Sequence, residues 1–179
     1  MSSVALSYAI NLLARREYSE FELRHKMQDK NFSEEDITAV IDHCQRKNWQ
    51  NDKRFAENYL YSRARRGYGS NRIRQELHQL KGISTDIINE VLLNTEIDWC
   101  EIAESVLQKK FPAYADDQAL DIKTKHKIRQ YMLSHGFNSE EFSEMIKFYV
   151  NCSLIISPVI RLLVTSNQVY LLPPPNFTE

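Results

Sequence analysis

The sequence predicts an all-α protein, an elongated and curved array of three tandem three-helix repeats that ends in an atypical apolar tail. Apolar residues recur at the spacing of an α-helix through most of the 179 residues. The chain has only four Gly and five Pro, which favours helices joined by short turns. A similar pattern recurs at an interval of about 50 residues. We therefore predict repeats at residues 1–50, 51–97 and 98–148, and a tail at 149–179.

The first repeat is predicted from two turn signals that separate three apolar stripes. Tyr18-Ser19 follows the first helix, and Asn31-Phe32-Ser33 separates the second helix from the third. Ser33 is a predicted N-cap, because its hydroxyl can accept a hydrogen bond from a free amide of the first helical turn. The apolar stripes consist of Leu6, Ala9, Ile10, Leu12, Leu13, Phe21, Leu23, Met27, Ile37, Val40, Ile41 and Cys44.

The helix boundaries of the second repeat are predicted from capping residues and glycines. Asp52 is predicted to cap a helix that begins at Lys53. Gly67 is predicted to end that helix in a left-handed conformation, and Ser70 or Asn71 to cap the next helix.

The same repeat contains a third helix and its own core residues. Lys81-Gly82 is predicted to stop the second helix, and Ser84 to start the third. The side chains predicted to hold this repeat together are Trp49, Phe55, Ile73 and Leu77.

The third repeat is predicted from its match to the second. Its first helix is expected from Trp99 to Phe111, and a joint longer than in the other repeats follows from Pro112 to Thr124. The segments Ile128-Arg129, Met132 and Gly136-Phe137-Asn138 correspond to Ile73-Arg74, Leu77 and Gly82-Ile83-Ser84.

The tail differs in composition from the repeats, because it is rich in β-branched residues. Pro158 and Arg161 interrupt it, so it is a poor candidate for a membrane-spanning helix. Ser166-Asn167 predicts a hairpin turn between strands at Val159–Thr165 and Gln168–Leu172.

Charge is sorted along the array. From Trp49 to Lys81 there are eight Lys/Arg and three acids, a net charge of +5 in a chain whose total is −1. From Ile83 to Asp121 there are nine acids and two lysines, a net charge of −7. Three interpretations stay open: neutralisation between adjacent repeats, a surface that meets a partner of mixed sign, or an acidic block that keeps nucleic acid off one part of the surface. The third repeat regains positive charge at Lys123, Lys125, Lys127 and Arg129.

The basic residues of the second repeat are predicted to gather at one corner between helices, together with several tyrosines. Arginine near tyrosine can hold phosphates and stack on bases, whereas the same arginines can form bidentate pairs with carboxylates of an acidic protein. A solvated basic face without a partner is the third interpretation. The candidate binding residues are Arg63, Arg65, Arg66, Tyr68, Arg72 and Arg74, with a second patch at Lys123, Lys125, Lys127 and Arg129.

Residues of catalytic type are present without the spacing that a catalytic or metal site needs. The five histidines have no partner at metal-ligand or triad spacing, and there is no phosphate-binding loop. Cys44, Cys100 and Cys152 lie far apart. We therefore predict a protein that is not an enzyme and uses no metal or cofactor. A nuclease built from helical carboxylates is the alternative, although no spacing favours it. The odd cysteine count and the lack of a secretory signal predict a cytoplasmic protein.

One motif is long enough to indicate a family. Trp49-x-x-Asp52-x-x-Phe55-Ala56 is followed by Arg63-x-Arg65-Arg66-Gly67-Tyr68-Gly69 and by Arg72-Ile73-Arg74-x-Glu76-Leu77. These segments resemble the signature of the bacterial RecX family, and the resemblance extends over about residues 5 to 147. The tail after Tyr149 departs from the family pattern.

The resemblance implies a regulator of the RecA recombinase. Proteins of this family bind the RecA filament along its helical groove and limit filament growth, which restrains strand exchange and the co-protease activity that drives the SOS response. They are not enzymes, and some bind DNA. The expected partners are the RecA filament and DNA, with no membrane, and the chain is expected to be a monomer. The alternative is a general DNA-binding protein that competes with RecA for DNA. Replacing Arg65, Arg66, Arg72 and Arg74 by Ala is predicted to abolish activity without unfolding.

Overall fold

The computed structural model describes residues 2–112 and 121–146. The predicted hairpin and the rest of the tail from 149 onward lie outside the described residues, as does most of the joint predicted between Pro112 and Thr124. In the described part every regular element is a helix, which confirms the all-α prediction. The helices are α1 Ser3–Leu13, α2 Glu20–Gln28, α3 Glu34–Arg46, α4 Asp52–Ala64, α5 Ser70–Lys81, α6 Thr85–Leu93, α7 Trp99–Lys110, α8 Ile122–Ser134, and α9 over residues 139–146.

The helices form groups of three, and each group encloses its own apolar cluster. The cluster within α1–α3 includes Leu23 and Ile41, both almost fully buried. The cluster of α4–α6 includes Leu60 and Ile88, and residues at the start of α7 pack against it. The third cluster lies among α7, α8 and α9 and includes Phe142. The three clusters match the three predicted repeats in order, while the exact domain boundaries stay a prediction.

Each repeat ends its second helix in the same way, which is the structural sign of the repetition. A residue with positive φ follows the helix, and the N–H of the next residue donates back to a carbonyl in the last helical turn. The positive-φ residues are Asn31, Gly82 and Gly136. The returning hydrogen bonds run from Phe32 to Met27, from Ile83 to Leu77 and from Phe137 to Met132, at 3.3, 3.1 and 3.1 Å.

Two predicted helix caps are confirmed. The Ser33 hydroxyl accepts from the Asp36 N–H at the start of α3, and the Ser84 hydroxyl accepts from the Ile87 N–H at the start of α6. Gly67 has a φ of 82°, so the predicted left-handed end of the preceding helix is also confirmed.

Two other predicted caps are wrong, because the neighbouring repeats use these residues. The N-cap of α4 is Asn51, and the Asp52 carboxylate instead accepts from the backbone N–H of Glu20 in the first repeat at 2.8 Å. The N-cap of α5 is Gly69, which has no capping side chain, while Ser70 is already helical. Gly69 occupies this position because its backbone contacts the third repeat.

The predicted core of the second repeat is confirmed for three of its four members. Phe55, Ile73 and Leu77 are buried, whereas Trp49 is 44% exposed. Trp49 follows Asn48, a residue with positive φ that turns the chain out of α3, and its ring lies edge-on against His43 at 5.6 Å. Among the described residues, no helix is both long enough and apolar enough to cross a membrane.

Candidate binding surface

The second repeat contains a nearly buried carboxylate that binds two of the predicted binding residues. Glu76 is only 9% exposed, and it accepts from Nε of Arg63 at 2.7 Å and from Nε of Arg72 at 3.1 Å. The Tyr59 hydroxyl donates to the same carboxylate at 2.9 Å. Arg63 and Arg72 are therefore part of the internal structure, since they neutralise a nearly buried acid.

The proton affinities of these groups reflect the same network. Burial acts to raise the pKa of Glu76, but the hydrogen bonds from Arg63, Arg72 and Tyr59 outweigh it and hold that pKa below its ordinary value. Burial, and then the hydrogen bond to Glu76, raise the pKa of Tyr59 to about 12. The carboxylate is therefore ionised at neutral pH, and the phenol keeps its proton.

Tyr68 lies between the two arginines and the third repeat. The guanidinium carbons of Arg63 and Arg72 lie 4.0 and 4.7 Å from the centroid of its ring. The ring stacks on His135 of the third repeat, with centroids 5.9 Å apart and an interplanar angle of 9°. Tyr68 is half-buried, so its ring serves first as a contact between repeats.

The glycines around Tyr68 let the backbones of repeats 2 and 3 meet. The Gly69 N–H donates to the carbonyl of His135 at 2.8 Å, and the Asn71 N–H donates to the carbonyl of Gly136 at 3.1 Å. A Cβ added at Gly69 would overlap the carbonyl group of Gly136. Arg72 also donates to the carbonyl of Ser134 at 3.3 Å. The residues of the motif that resembles the family signature thus form the contact between repeats 2 and 3, which we call the joint.

Four more cations of the basic stretch have partners. The ion pairs are Lys53–Glu90 at 2.7 Å, Arg54–Glu17 at 2.6 Å and Lys81–Glu22 at 2.6 Å, and Arg74 donates to the side chain of Asn89. Two of these pairs join the second repeat to the first. They support neutralisation between adjacent repeats, but the acids come mainly from repeat 1 and not from the acidic block that follows.

Arg65 and Arg66 are different, because their guanidinium groups are exposed. Within residues 2–112 and 121–146 neither side chain has a hydrogen bond or an ion pair. Both lie at the end of α4, on the edge of a groove whose other wall is α7. Of the eight cations counted between residues 49 and 81, these two are the ones that remain available to a partner.

The second predicted patch lies on α8. Lys123, Lys127 and Arg129 are exposed, and Lys125 is half-buried beside the apolar side chains of Ile122 and residues of α9. The segment from 122 to 134 contains no acidic residue, so its positive charge is not balanced along the helix. The two patches line different grooves, since Lys125 and Arg129 lie beside α9 whereas Arg65 and Arg66 lie beside α7.

Sequence reasoning missed the role of Glu76 and the groove beside α7. The spacing of Arg72 and Glu76 is i,i+4 on one helix, a signal that could have paired them. The groove residues Tyr61 and Lys109 gave no comparable signal, because they are distant in sequence. In the described part of the chain, no cluster of three metal-ligating side chains is present.

Comparison with known proteins decides the family. Two family models match, the first three-helix domain of RecX over residues 5–44 and the second three-helix domain over residues 51–92. A "Regulatory protein RecX" of Haemophilus influenzae (strain PittEE) is 64% identical over 146 residues, which cover 82% of this chain and 95% of that protein. The chain belongs to the RecX family. The sequence resemblance is therefore confirmed, and the chain is a member of a family of regulatory proteins.

Other RecX proteins match over the same share of this chain. The RecX of Mannheimia succiniciproducens is 59% identical, and that of Actinobacillus pleuropneumoniae serotype 5b is 42% identical, each over 82% of this chain. The crystal structure of RecX from Lactobacillus salivarius has a TM-score of 0.70 at 22% identity, covering 82% of this chain and 95% of that one. A second RecX crystal structure has a TM-score of 0.69 at 24% identity, with coverage of 82% and 71%. These two structures establish the shared fold.

Proposed function

We propose that this protein binds the filament that RecA forms on DNA and limits its extension. It would thereby restrain recombination and the co-protease activity behind the SOS response, acting in the cytoplasm as a monomer and without catalysis of its own. Membership of the RecX family supports this proposal, and so does the architecture. Three repeats in series present a longer surface than one repeat, and a long surface suits a partner that is itself a repeating array.

One observation indicates which residues make the proposed contact. Six of the eight cations in the basic stretch have a hydrogen-bonded or ionic partner within the described residues, whereas Arg65 and Arg66 have none. An arginine pair that the fold does not use, exposed beside a groove, is available for carboxylates or phosphates of the filament. We assign the contact with the filament to Arg65 and Arg66, with Lys123, Lys127 and Arg129 as a second contact.

General binding to DNA is the alternative, and the charge of α8 favours it. This helix has four Lys/Arg and no acid, which is the pattern of a helix that contacts phosphates. In this alternative the protein would inhibit RecA only by covering DNA. The two functions differ in how inhibition depends on the amount of DNA.

The test is RecA-dependent ATP hydrolysis on single-stranded DNA during titration with this protein. DNA is kept in large excess over the amount that the protein alone could cover. Inhibition at amounts well below that of RecA is the expected result, because a filament regulator acts on the growing filament. Inhibition that begins only when the protein saturates the DNA, and that is relieved by more DNA or by salt, would show competition instead.

Two matched double variants test whether Arg65 and Arg66 make the contact with the filament. Arg65→Ala/Arg66→Ala is expected to raise the concentration for half-inhibition about tenfold, which corresponds to two exposed charge pairs of up to about 0.7 kcal/mol each. Lys30→Ala/Lys47→Ala removes the same charge from exposed positions of the first repeat and is expected to leave inhibition unchanged. Equal effects of the two double variants would contradict the assignment.

A further inference from the structure

A groove between α4 and α7 lies on one side of the joint that connects repeats 2 and 3. Its lining is apolar over much of its area and includes Ala64, Ile97, Ile102 and Val106. The volume is about 360 Å³, enough for one or two side chains of a bound peptide. Gly67 and Val106 are both lining residues, and a Cβ at Gly67 would lie 2.7 Å from Cγ2 of Val106. The lack of a side chain at Gly67 therefore keeps the groove open.

The edge of this groove carries more positive than negative charge. Arg65 and Arg66 lie along the α4 side, and Lys109 lies near the end of the α7 side. Glu101 is the one acidic residue among the groove's lining residues. Tyr61 is 43% exposed, so its ring adds an apolar surface at the edge. The cations of α8 differ in that no acidic residue lies on that helix.

We propose that the groove binds a short peptide segment of a partner protein, in which an aliphatic or aromatic side chain is flanked by carboxylates. The apolar side chain enters the lining, and the carboxylates pair with Arg65, Arg66 and Lys109. Charge complementarity favours acidic flanks, and the apolar lining favours a protein over a phosphate backbone.

The inference rests on the proposed function, because it gives the chemistry of the segment through which RecA would be held. It also gives the two basic patches different partners. The groove contacts protein, and the cations of α8 remain available for DNA or for a second protein surface.

The test uses the full chain and the intact filament. Tyr61 is replaced by a photo-crosslinking phenylalanine, the variant is added to RecA on single-stranded DNA, and the sample is irradiated. The cross-linked segment is identified by mass spectrometry, and ATP hydrolysis is measured in the same sample. We expect a cross-link to a RecA segment that has carboxylates beside an apolar side chain. The same photo-crosslinker at Lys30 is the control and is expected to give little product.

The second measurement combines the photo-crosslinker at Tyr61 with substitutions of the charged residues at the groove. Arg65→Glu/Arg66→Glu is expected to reduce cross-linking about tenfold or more, whereas Glu101→Gln is expected to increase it by about twofold, because exposed charge pairs each change affinity by up to about fivefold. Arg65, Arg66 and Glu101 are all exposed, so neither variant changes the core.

The outcomes are distinguishable. A cross-link to DNA, to a RecA segment without carboxylates, or to nothing, in a sample where ATP hydrolysis is still inhibited, overturns the groove proposal and leaves the proposed function in place. Wild-type protein that does not inhibit ATP hydrolysis at all overturns the proposed function itself. An increase for Glu101→Gln with a decrease for the arginine variant supports the groove.

Discussion

The substitution Glu76→Gln tests whether the arginines at the joint are structural. Glu76 accepts hydrogen bonds from Arg63, Arg72 and Tyr59, and its side chain is 11% exposed. Gln has nearly the same shape but replaces one acceptor oxygen by an NH₂ group that would face the guanidinium donors. Hydrogen bonds to charged groups contribute about 1.5–3 kcal/mol each, and breaking a buried ion pair costs about 3–5 kcal/mol.

We expect Glu76→Gln to lower the free energy of unfolding by about 3 kcal/mol, somewhat less than for a fully buried pair, because Arg63 is 18% exposed. For a chain of this size that corresponds to a fall in Tm of about 6–12 °C. The measurement is thermal and urea unfolding followed by circular dichroism at neutral pH. Glu90→Gln is the matched control, since Glu90 is 51% exposed and, within the described residues, pairs with exposed Lys53, so little change in stability is expected.

The pH dependence gives an independent check of the same network. The pKa of Glu76 is held below its ordinary value of 4.5 in the folded chain. Its contribution to stability is therefore fully present above pH 4.5 and is lost as the pH falls through the lower, folded-state pKa. The difference in stability between wild type and Glu76→Gln should shrink in that range. Equal destabilisation by the two glutamine variants, or a difference that is the same at all pH values, would refute the reasoning.

Three further predictions concern the contacts between repeats and the exposed arginine pair. Gly69→Ala is expected to destabilise the chain by at least about 2 kcal/mol, because the added Cβ would overlap the backbone of Gly136, and proteolysis should then release repeat 3 first. A double-mutant cycle on Arg54 and Glu17, measured by urea unfolding, should give a coupling of about 1 kcal/mol, since both side chains are about one-third exposed. Arg65→Ala/Arg66→Ala should leave the free energy of unfolding, measured by urea, unchanged within about 0.5 kcal/mol, because neither arginine has a partner within the described part of the chain.

The sequence predicted the helices well because their signals are local. Apolar spacing, serine caps and glycines at helix ends depend on neighbours within a few residues, and Ser33, Ser84 and Gly67 all have the predicted roles. The wrong caps are those whose side chains or backbones contact another repeat. Asp52 accepts from the first repeat and Asn71 donates to the third, and no local pattern in the sequence contains that information.

The binding surface was harder to predict because composition counts charges without their partners. The net charge of +5 between residues 49 and 81 suggested one basic patch. In the folded chain Glu76, one of the three acids in that stretch, binds two of its arginines. Glu17 and Glu22, more than 30 residues away in sequence from their partners, bind two further cations. Only the three-dimensional arrangement separates paired from available charge.

This separation changes how the family motif should be tested. The motif combines residues that build the joint, such as Arg72, with Arg65 and Arg66, which the described fold does not use. The fourfold alanine variant at Arg65, Arg66, Arg72 and Arg74 therefore removes a structural hydrogen bond together with the candidate contacts, and its loss of activity would not distinguish misfolding from lost binding. The double variant of Arg65 and Arg66 makes that distinction, because normal stability with weakened inhibition can arise only if the two arginines contact the partner.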